Sequence, residues 1–165
     1  MSVAVREDFE DRLFALSSVH NQLARERWAG AELGLMIHDL LVPHDLEERV
    51  YLNGSPVRLS PKLAVTLAMA IQELLTNASR HGALSTPTGH VAVDWRVGEE
   101  QGVDVLQLDW QEIGGPAVRA PARGGFGRSL LEHAIGDELG GTLRLEFAAD
   151  GLRCRMGVPL PDDGG

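Results

Sequence analysis

The chain has few of the residues that build several common kinds of site. Its single cysteine, Cys154, excludes an internal disulfide and a zinc site made of several cysteines, and it fits a reducing cytosol. Basic residues are outnumbered by acidic ones, 15 against 24, which gives a net charge of −9. Because binding to a phosphate backbone needs the opposite balance, we expect no nucleic-acid partner.

Long apolar runs are also missing from the sequence. No run approaches the ~18 apolar residues of a membrane-spanning helix, and no charged and apolar leader opens the chain. We therefore expect no membrane insertion and a cytoplasmic location. The apolar fraction of 44% is still enough for the core of one domain in a chain of 165 residues.

The spacing of apolar residues predicts an α+β fold, in which helices cover one face of a mostly antiparallel sheet. Helices are predicted before Trp28, over about residues 31–42, from Pro61 to about His81 and over about residues 127–139. Strands are predicted at 91–97, 106–110, 143–147 and 152–160, and a short hairpin at 48–60 turns at Asn53-Gly54.

Two segments of this pattern need a partner or a special conformation. The first helix carries a stripe of residues that we expect to be buried against another helix: Phe9, Leu13, Leu16, His20 and Leu23. Residues 111–126 are rich in glycine and proline, so we expect a mobile loop there.

Three polar residues share one face of the helix that ends near His81. Glu73, Asn77 and Arg80 follow one another at spacings of four and three. The amide oxygen of Asn77 can be a neutral ligand for Mg²⁺, and the planar guanidinium of Arg80 can pair with phosphate oxygens. An exposed polar face with no ligand has the same spacing, so both interpretations stay open.

Glycine segments follow two of the predicted strands. Glu112 comes directly before one of them, where its carboxylate can accept a hydrogen bond from an exocyclic amine such as that of adenine; a turn with a solvated glutamate is the alternative. Gly125, Phe126 and Gly127 precede a helix whose N-terminal amides can hold phosphate. The GxxxxGK[ST] motif is missing, so the pattern predicts a nucleotide pocket without a Walker-type loop.

The order of these motifs resembles that of HWE sensor histidine kinases, a subfamily of the histidine kinase, gyrase, Hsp90 and MutL superfamily. ELLTNASRHGALS (73–85) is similar to the N-box, WQE (110–112) to the Trp-x-Glu signature, and GGFGRSLLEHAIGDELGG (124–141) to the glycine lid and the helix after it. RLFALSSVHNQLARERWAGAEL (12–33) is similar to the second dimerisation helix and its junction. The likeness covers roughly residues 8–160.

The resemblance implies a two-layer α/β sandwich of the Bergerat type. Residues 28–160 would be the ATP-binding catalytic domain, residues 1–27 a helix from an incomplete dimerisation hairpin, and residues 161–165 a disordered tail. The implied activity is transfer of the γ-phosphoryl group of ATP to a histidine, with Mg²⁺ as cofactor. The implied partners are a response regulator and a second copy that pairs through the N-terminal helix.

Individual roles also follow from the resemblance. Asn77 would coordinate Mg²⁺, and Glu73 would help to organise the metal or water, so both would be catalytic. Arg80 would contact phosphate, and Glu112 would replace the aspartate that reads adenine. The remaining nucleotide-binding residues would be His81, Gly114, Gly115, Gly125, Phe126 and Gly127.

The sequence departs from the family pattern at two points. Gln72 stands where the subfamily has its namesake histidine, and an amide cannot titrate. Family members phosphorylate a histidine in a motif like HRVKN on a first dimerisation helix, and the residues before Phe9 are too few for that helix. The acceptor is therefore expected on another segment or chain, while His20 is expected to serve in packing.

Two other functions are compatible with the same pocket. One is a nucleotide-dependent regulator of the anti-sigma type, which switches a partner by binding it. The other is a degenerate phosphotransfer scaffold that has lost ATP. The second should show eroded motifs, whereas Glu73, Asn77 and Glu112 are all present, so a histidine kinase module is the favoured interpretation.

Overall fold

A computed structural model describes residues 3–27, 29–116, 128–149 and 151–160. The predicted lid residues Gly125, Phe126 and Gly127 lie outside the described residues, as does most of the segment predicted to be a mobile loop. The first residues of that segment, up to Ile113, continue a strand instead.

Helices and strands alternate along the chain as the sequence predicts. The helices are α1 (Val3–Arg25), α2 (Leu33–Leu41), α3 (Pro61–His81) and α4 (Arg128–Leu131), which continues as a π-helical segment, Glu132–Glu138. The strands are β1 (Ala31–Glu32), β2 (Val50–Asn53), β3 (Arg58–Leu59), β4 (His90–Glu100), β5 (Val103–Ile113), β6 (Thr142–Ala148) and β7 (Gly151–Leu160). None of the described helices is long and apolar enough to cross a bilayer.

The five-stranded sheet has the order β2-β4-β5-β7-β6. Only β2 and β4 pair in parallel, so the predicted, mostly antiparallel sheet is confirmed. Gln101 and Gly102 join β4 to β5 with positive φ angles of 52° and 80°, as a tight hairpin turn requires. Alternate side chains of one sheet face, including Val93, Leu108 and Cys154, join the helices in one hydrophobic core.

Helix α3 occupies the middle of this core and positions the candidate site. Its start is fixed by Ser60, whose hydroxyl accepts a hydrogen bond from the Leu63 amide, and by Pro61 at the first helical position. The apolar row of this helix is buried in the core: Leu63, Leu67, Ile71, Leu74 and Ala78.

The predicted hairpin at residues 48–60 is wrong. Strand β2 pairs with β4, while β3 pairs with β1 in a separate two-stranded sheet. The Trp95 side chain explains the separation, since it packs where a Cβ on Gly54 would stand and donates its indole N–H to the carbonyl of Ser55 at 2.8 Å. The chain is therefore held by β4 at the point where a hairpin would have to turn.

Most of the apolar stripe predicted on α1 is not buried within this chain, so its burial against a second copy stays a prediction. Phe9, Leu13 and Leu16 are 60%, 50% and 42% exposed, and His20 is exposed as well; of the stripe, only Leu23 is buried. A neighbouring face of α1, with the buried residues Ala15, Val19 and Leu23, joins the core beside α3 instead. Small side chains on that face let the two helices approach closely.

Candidate functional site

The structure places Glu73, Asn77 and Arg80 on one face of α3, as the sequence predicts. Glu73 is buried, while Asn77 and Arg80 are half-buried. This face is turned toward α1 rather than toward open solvent. The polar residues that the sequence assigns to metal and phosphate therefore lie at a helix–helix contact.

Two ion pairs connect α1 to this face. Arg12 donates from Nη2 to the carboxylate oxygens Oε1 and Oε2 of Glu73 at 3.4 and 3.3 Å. Nη2 of Arg80 lies 3.7 Å from a carboxylate oxygen of Glu7. Each pair joins a charge of α1 to the opposite charge of α3, so α1 neutralises the carboxylate and the guanidinium that the sequence assigns to metal and phosphate.

Glu112 lies past the C-terminal end of α3, near the end of β5. Its Oε1 accepts the N–H of Ala83 at 3.0 Å, and its Oε2 accepts the indole N–H of Trp110 at 3.2 Å. Only 3% of the residue is exposed. Burial raises the pKa of the Glu112 carboxyl, and the hydrogen bonds from Ala83, Trp110 and the backbone of Leu152 partly offset that rise.

Glycines allow the end of α3 and the turn after β5 to come this close. A Cβ added to Gly82 would stand 1.9 Å from Oε1 of Glu112, and one on Gly115 would stand 2.6 Å from Cα of Ala83. Gly114 has a φ of 77°, a conformation that favours glycine. The structure thus brings the predicted Gly114-Gly115 turn into contact with the end of the N-box-like helix.

Other residues singled out by the sequence have plainer surroundings. His81, the last residue of α3, is exposed. Gln72 is buried and donates its amide to the Thr76 hydroxyl at 3.3 Å on the same helix. Trp95 and Trp110 belong to the core.

Sequence reasoning missed two arginines that define the surroundings of the site. Arg12 is one, and the other is Arg49, just before β2. The Arg49 guanidinium donates to carbonyl oxygens of the turn that follows α3, including that of Gly89 at 2.7 Å from Nη2 and 3.1 Å from Nε. Both arginines contact residues at least 34 positions away in the chain, so no local pattern could have revealed these contacts.

The site thus has two ends along one helix. Glu73 marks one end and Gly82, beside Glu112, the other. Nine residues at a rise of about 1.5 Å per residue separate them by roughly 13 Å along the helix axis. The face from Glu73 to Arg80 offers a carboxylate, an amide and a guanidinium in turn, and the segment beyond the helix offers a buried carboxylate held by N–H donors.

A metal ion at this site would take few ligands from the protein. Within the described part of the chain, no group of three or more histidine, cysteine, aspartate or glutamate residues could hold a metal. Mg²⁺ that is bound with a nucleotide takes only one or two protein oxygens beside phosphates and water. The oxygens of Asn77 and Glu73 suffice for that.

A large cavity lies elsewhere, on the outer face of the sheet. It has a volume of about 870 Å³, and charged strand residues such as Asp94, Arg96, Asp109 and Arg155 line it. None of the residues predicted to bind nucleotide lines this cavity. The predicted site and this groove are therefore separate features.

Comparison with solved structures identifies the class of fold. The histidine kinase domain of the blue-light activated histidine kinase EL346 from Erythrobacter litoralis superposes with a TM-score of 0.70 at 18% identity, covering 93% of this chain and 75% of that one. The Acinetobacter baumannii histidine kinase AdeS gives a TM-score of 0.54 at 18% identity, covering 97% of this chain and 81% of that one. The fold is that of histidine kinase domains.

Sequence comparison then gives the family. Residues 2–56 match the family described as HWE histidine kinase. The chain is 36% identical over 154 residues to the blue-light-activated histidine kinase of Brucella ovis, which covers 92% of this chain. The chain belongs to the HWE histidine kinase family. It spans about a third, 32%, of the length of that curated relative.

Proposed function

We propose that this chain is the catalytic module of a histidine kinase, which binds Mg-ATP along α3 and transfers the γ-phosphoryl group to a histidine. The observation that carries this proposal is the arrangement of α3, with a polar face for metal and phosphate and a buried carboxylate at its end. In this proposal residues 28–160 form the ATP-binding domain and residues 1–27 belong to a dimerisation region.

Glu112 is suited to read the adenine base. An ionised carboxylate has about four lone-pair sites, and hydrogen bonds from Ala83, Trp110 and the backbone of Leu152 occupy three of them. A lone pair is left to accept a hydrogen bond from the exocyclic amine. Because both oxygens are already held, the acceptor is preorganised and loses little freedom when the base binds.

The other end of α3 is suited to the phosphates. Asn77 and Glu73 would hold Mg²⁺ or its water, and the Arg80 guanidinium would pair with phosphate oxygens. Bound Mg²⁺ would neutralise negative charge on the phosphates. The glycines of the segment 124–127 would supply backbone N–H groups, and His81, at the end of α3, would complete the contacts.

Helix α1 has to release these charges before a nucleotide can use them. Glu73 pairs with Arg12, and Arg80 with Glu7, in the structure. Mg-ATP and the docked α1 would therefore compete for the same carboxylate and guanidinium. A ligand can shift such an equilibrium only by its differential affinity for the two states, so the strength of the α1 contacts would set part of the apparent ATP affinity.

In the proposed transfer, an imidazole nitrogen bonds to the γ-phosphorus while the bond from that phosphorus to the bridging oxygen breaks, leaving ADP. The protein mainly positions groups and neutralises charge in such a reaction. Gln72 cannot accept a proton, so the chain would not use that position as a base. The acceptor histidine would lie on another segment or chain.

We also propose that two copies pair through α1. The exposed stripe of Phe9, Leu13 and Leu16 supports this, since it has helical spacing and joins no core among the described residues. A response regulator would then receive the phosphoryl group, and the module would act in the cytoplasm.

Transfer of label from [γ-³²P]ATP tests the proposed activity. The full chain is mixed with Mg²⁺ and, as acceptors, with segments of the Brucella ovis relative that lie outside the region matched by this chain. We expect a label that is lost in acid and retained in base, as a phosphohistidine is. Asn77→Ala should abolish it, while Asn53→Ala, an exposed amide on the outer sheet face, should not. Absence of an acid-labile product across these acceptors would refute the transferase activity.

A further inference from the structure

A short 3-10 turn, Ala83–Ser85, separates α3 from the loop that leads to β4. Arg49 holds the C-terminal side of this turn. Its guanidinium donates to the carbonyl oxygens of Ala83 and Leu84, each at 3.4 Å, and to those of Thr86 and Gly89. One planar cation thus gathers four backbone carbonyls, which a compact ammonium group could not match.

Glu112 holds the opposite side of the same turn. Its Oε1 accepts the N–H of Ala83 at 3.0 Å. The turn therefore has an anion at its N–H end and a cation at its carbonyl end, and each charge opposes the partial charge of the backbone groups that it faces. Ala83 is shared, because its N–H binds Glu112 while its carbonyl oxygen binds Arg49.

We propose that Arg49 is a positioning residue for Glu112, and that it thereby sets the preference of the site for adenine nucleotides. This inference rests on the proposed function, in which Glu112 reads the exocyclic amine of the base. Arg49 fixes the peptide groups on either side of Ala83, and Ala83 fixes one oxygen of Glu112. The remaining lone pair of that carboxylate then points in a defined direction.

Loss of Arg49 leaves four carbonyl oxygens without their charged donor. Solvent can replace that donor, since Arg49 is only half-buried, but water cannot hold the four carbonyls in one arrangement. The turn then relaxes, and the N–H of Ala83 is no longer aligned with Oε1. The contact that suffers first is the hydrogen bond to the base amine, whereas Asn77 and Glu73, which would hold Mg²⁺, lie five and nine residues before Gly82 on α3.

The test compares the affinities of the full chain for Mg-ATP and Mg-ITP, because inosine carries a carbonyl where adenine carries its amine. The wild-type chain should prefer ATP. Arg49→Gln should lower ATP affinity about tenfold and leave ITP affinity nearly unchanged, so that the ratio of ATP affinity to ITP affinity falls. Arg49→Lys should restore part of this preference for ATP. Arg96→Gln is the control, since that side chain bonds only to Gln107 on the outer sheet face among the described residues.

A merely structural role would lower the affinities for ATP and ITP by the same factor, and that result in a folded variant would overturn the inference. A wild-type chain that binds neither nucleotide would instead refute the proposed function. The contact between Glu112 and the turn can then be followed without nucleotide, through the indole N–H resonance of Trp110 during a pH titration. The Ala83 hydrogen bond lowers the pKa of Glu112, so Arg49→Gln, which weakens that bond, should raise the midpoint of this titration. An unchanged midpoint contradicts the positioning role.

Discussion

Replacing Arg12 by alanine should raise the affinity of the chain for Mg-ATP. The Arg12 guanidinium contacts both carboxylate oxygens of Glu73, at 3.3 and 3.4 Å. A ligand that uses Glu73 has to break this contact first. The Arg12→Ala variant has no such contact to break, so the energy of the ion pair no longer opposes binding.

The size of the effect follows from the burial of the pair. The side chains of Arg12 and Glu73 are 42% and 10% exposed, so the pair lies between a surface ion pair and a buried one. Surface pairs contribute about 0.2–1 kcal/mol, and hydrogen bonds to charged groups about 1.5–3 kcal/mol. The buried Nε of Arg12 finds no acceptor among the described residues, which favours the lower part of this range. About 1 kcal/mol corresponds to roughly fivefold in affinity.

Calorimetric titration of Mg-ATP measures this change directly. Arg6→Ala is the matched control, because Arg6 lies on the same helix and pairs at 3.9 Å with Glu10 on the solvent side. The melting temperature of Arg12→Ala should fall as its affinity for ATP rises, since the same contact stabilises the docked helix. Equal or weaker binding by folded Arg12→Ala would refute the competition between α1 and the nucleotide.

Three further predictions concern single buried positions. Burial raises the pKa of Glu112 above its ordinary value of 4.5. The wild-type chain should therefore lose stability relative to Glu112→Gln as the pH rises from 4.5 through the raised pKa. Urea unfolding at several pH values measures this loss, and parallel stability profiles of the two chains would contradict it. Gly82→Ala forces a Cβ to within 1.9 Å of the Glu112 carboxylate and should weaken ATP binding at least tenfold by calorimetry, whereas Gly98→Ala, with open space around it, should have no effect. Burial raises the pKa of Cys154 to about 12, so Ellman's reagent should label the thiol near neutral pH only after denaturation; fast labelling of the native chain would refute its burial.

Local patterns predict the elements of this fold well where one periodicity dominates. Helix α3 begins after the capping Ser60, and the apolar residues that recur at every third or fourth position along it are buried. Strands β4 and β5 show clean alternation and a two-residue turn. The failure at residues 48–60 has a long-range cause, because pairing of β2 with β4 depends on contacts more than 40 residues apart.

The face of α1 that joins the core of this chain was not predicted either, and the cause is different. Large apolar residues at Phe9, Leu13 and Leu16 give the stronger helical signal, yet α1 turns Ala15 and Val19 into the core of this chain. Periodicity identifies an apolar stripe, but it cannot say whether the partner belongs to the same chain. The larger stripe stays available to a second copy.

The candidate site likewise has parts that the sequence predicts and parts that it does not. Glu73, Asn77 and Arg80 share a helix face that spacing alone can predict, and the position of Glu112 before a glycine turn is visible in the sequence. The contact of Arg49 with the turn after α3 is not visible in the sequence, because Arg49 contacts backbone carbonyl groups, which every residue has. Arg12 also gives no signal, since its partner Glu73 lies 61 residues away.

The central claim is that α3 carries a Mg-ATP site, and calorimetric titration of Mg-ATP into the full chain and into Asn77→Ala tests it most directly. Asn77 lies half-buried on the polar face of α3, so its replacement should leave the fold intact. We predict one site per chain in wild type, dependent on Mg²⁺, and no binding by Asn77→Ala, while Asn53→Ala binds like wild type. Tight Mg-ATP binding that survives in Asn77→Ala would contradict the assignment of this face.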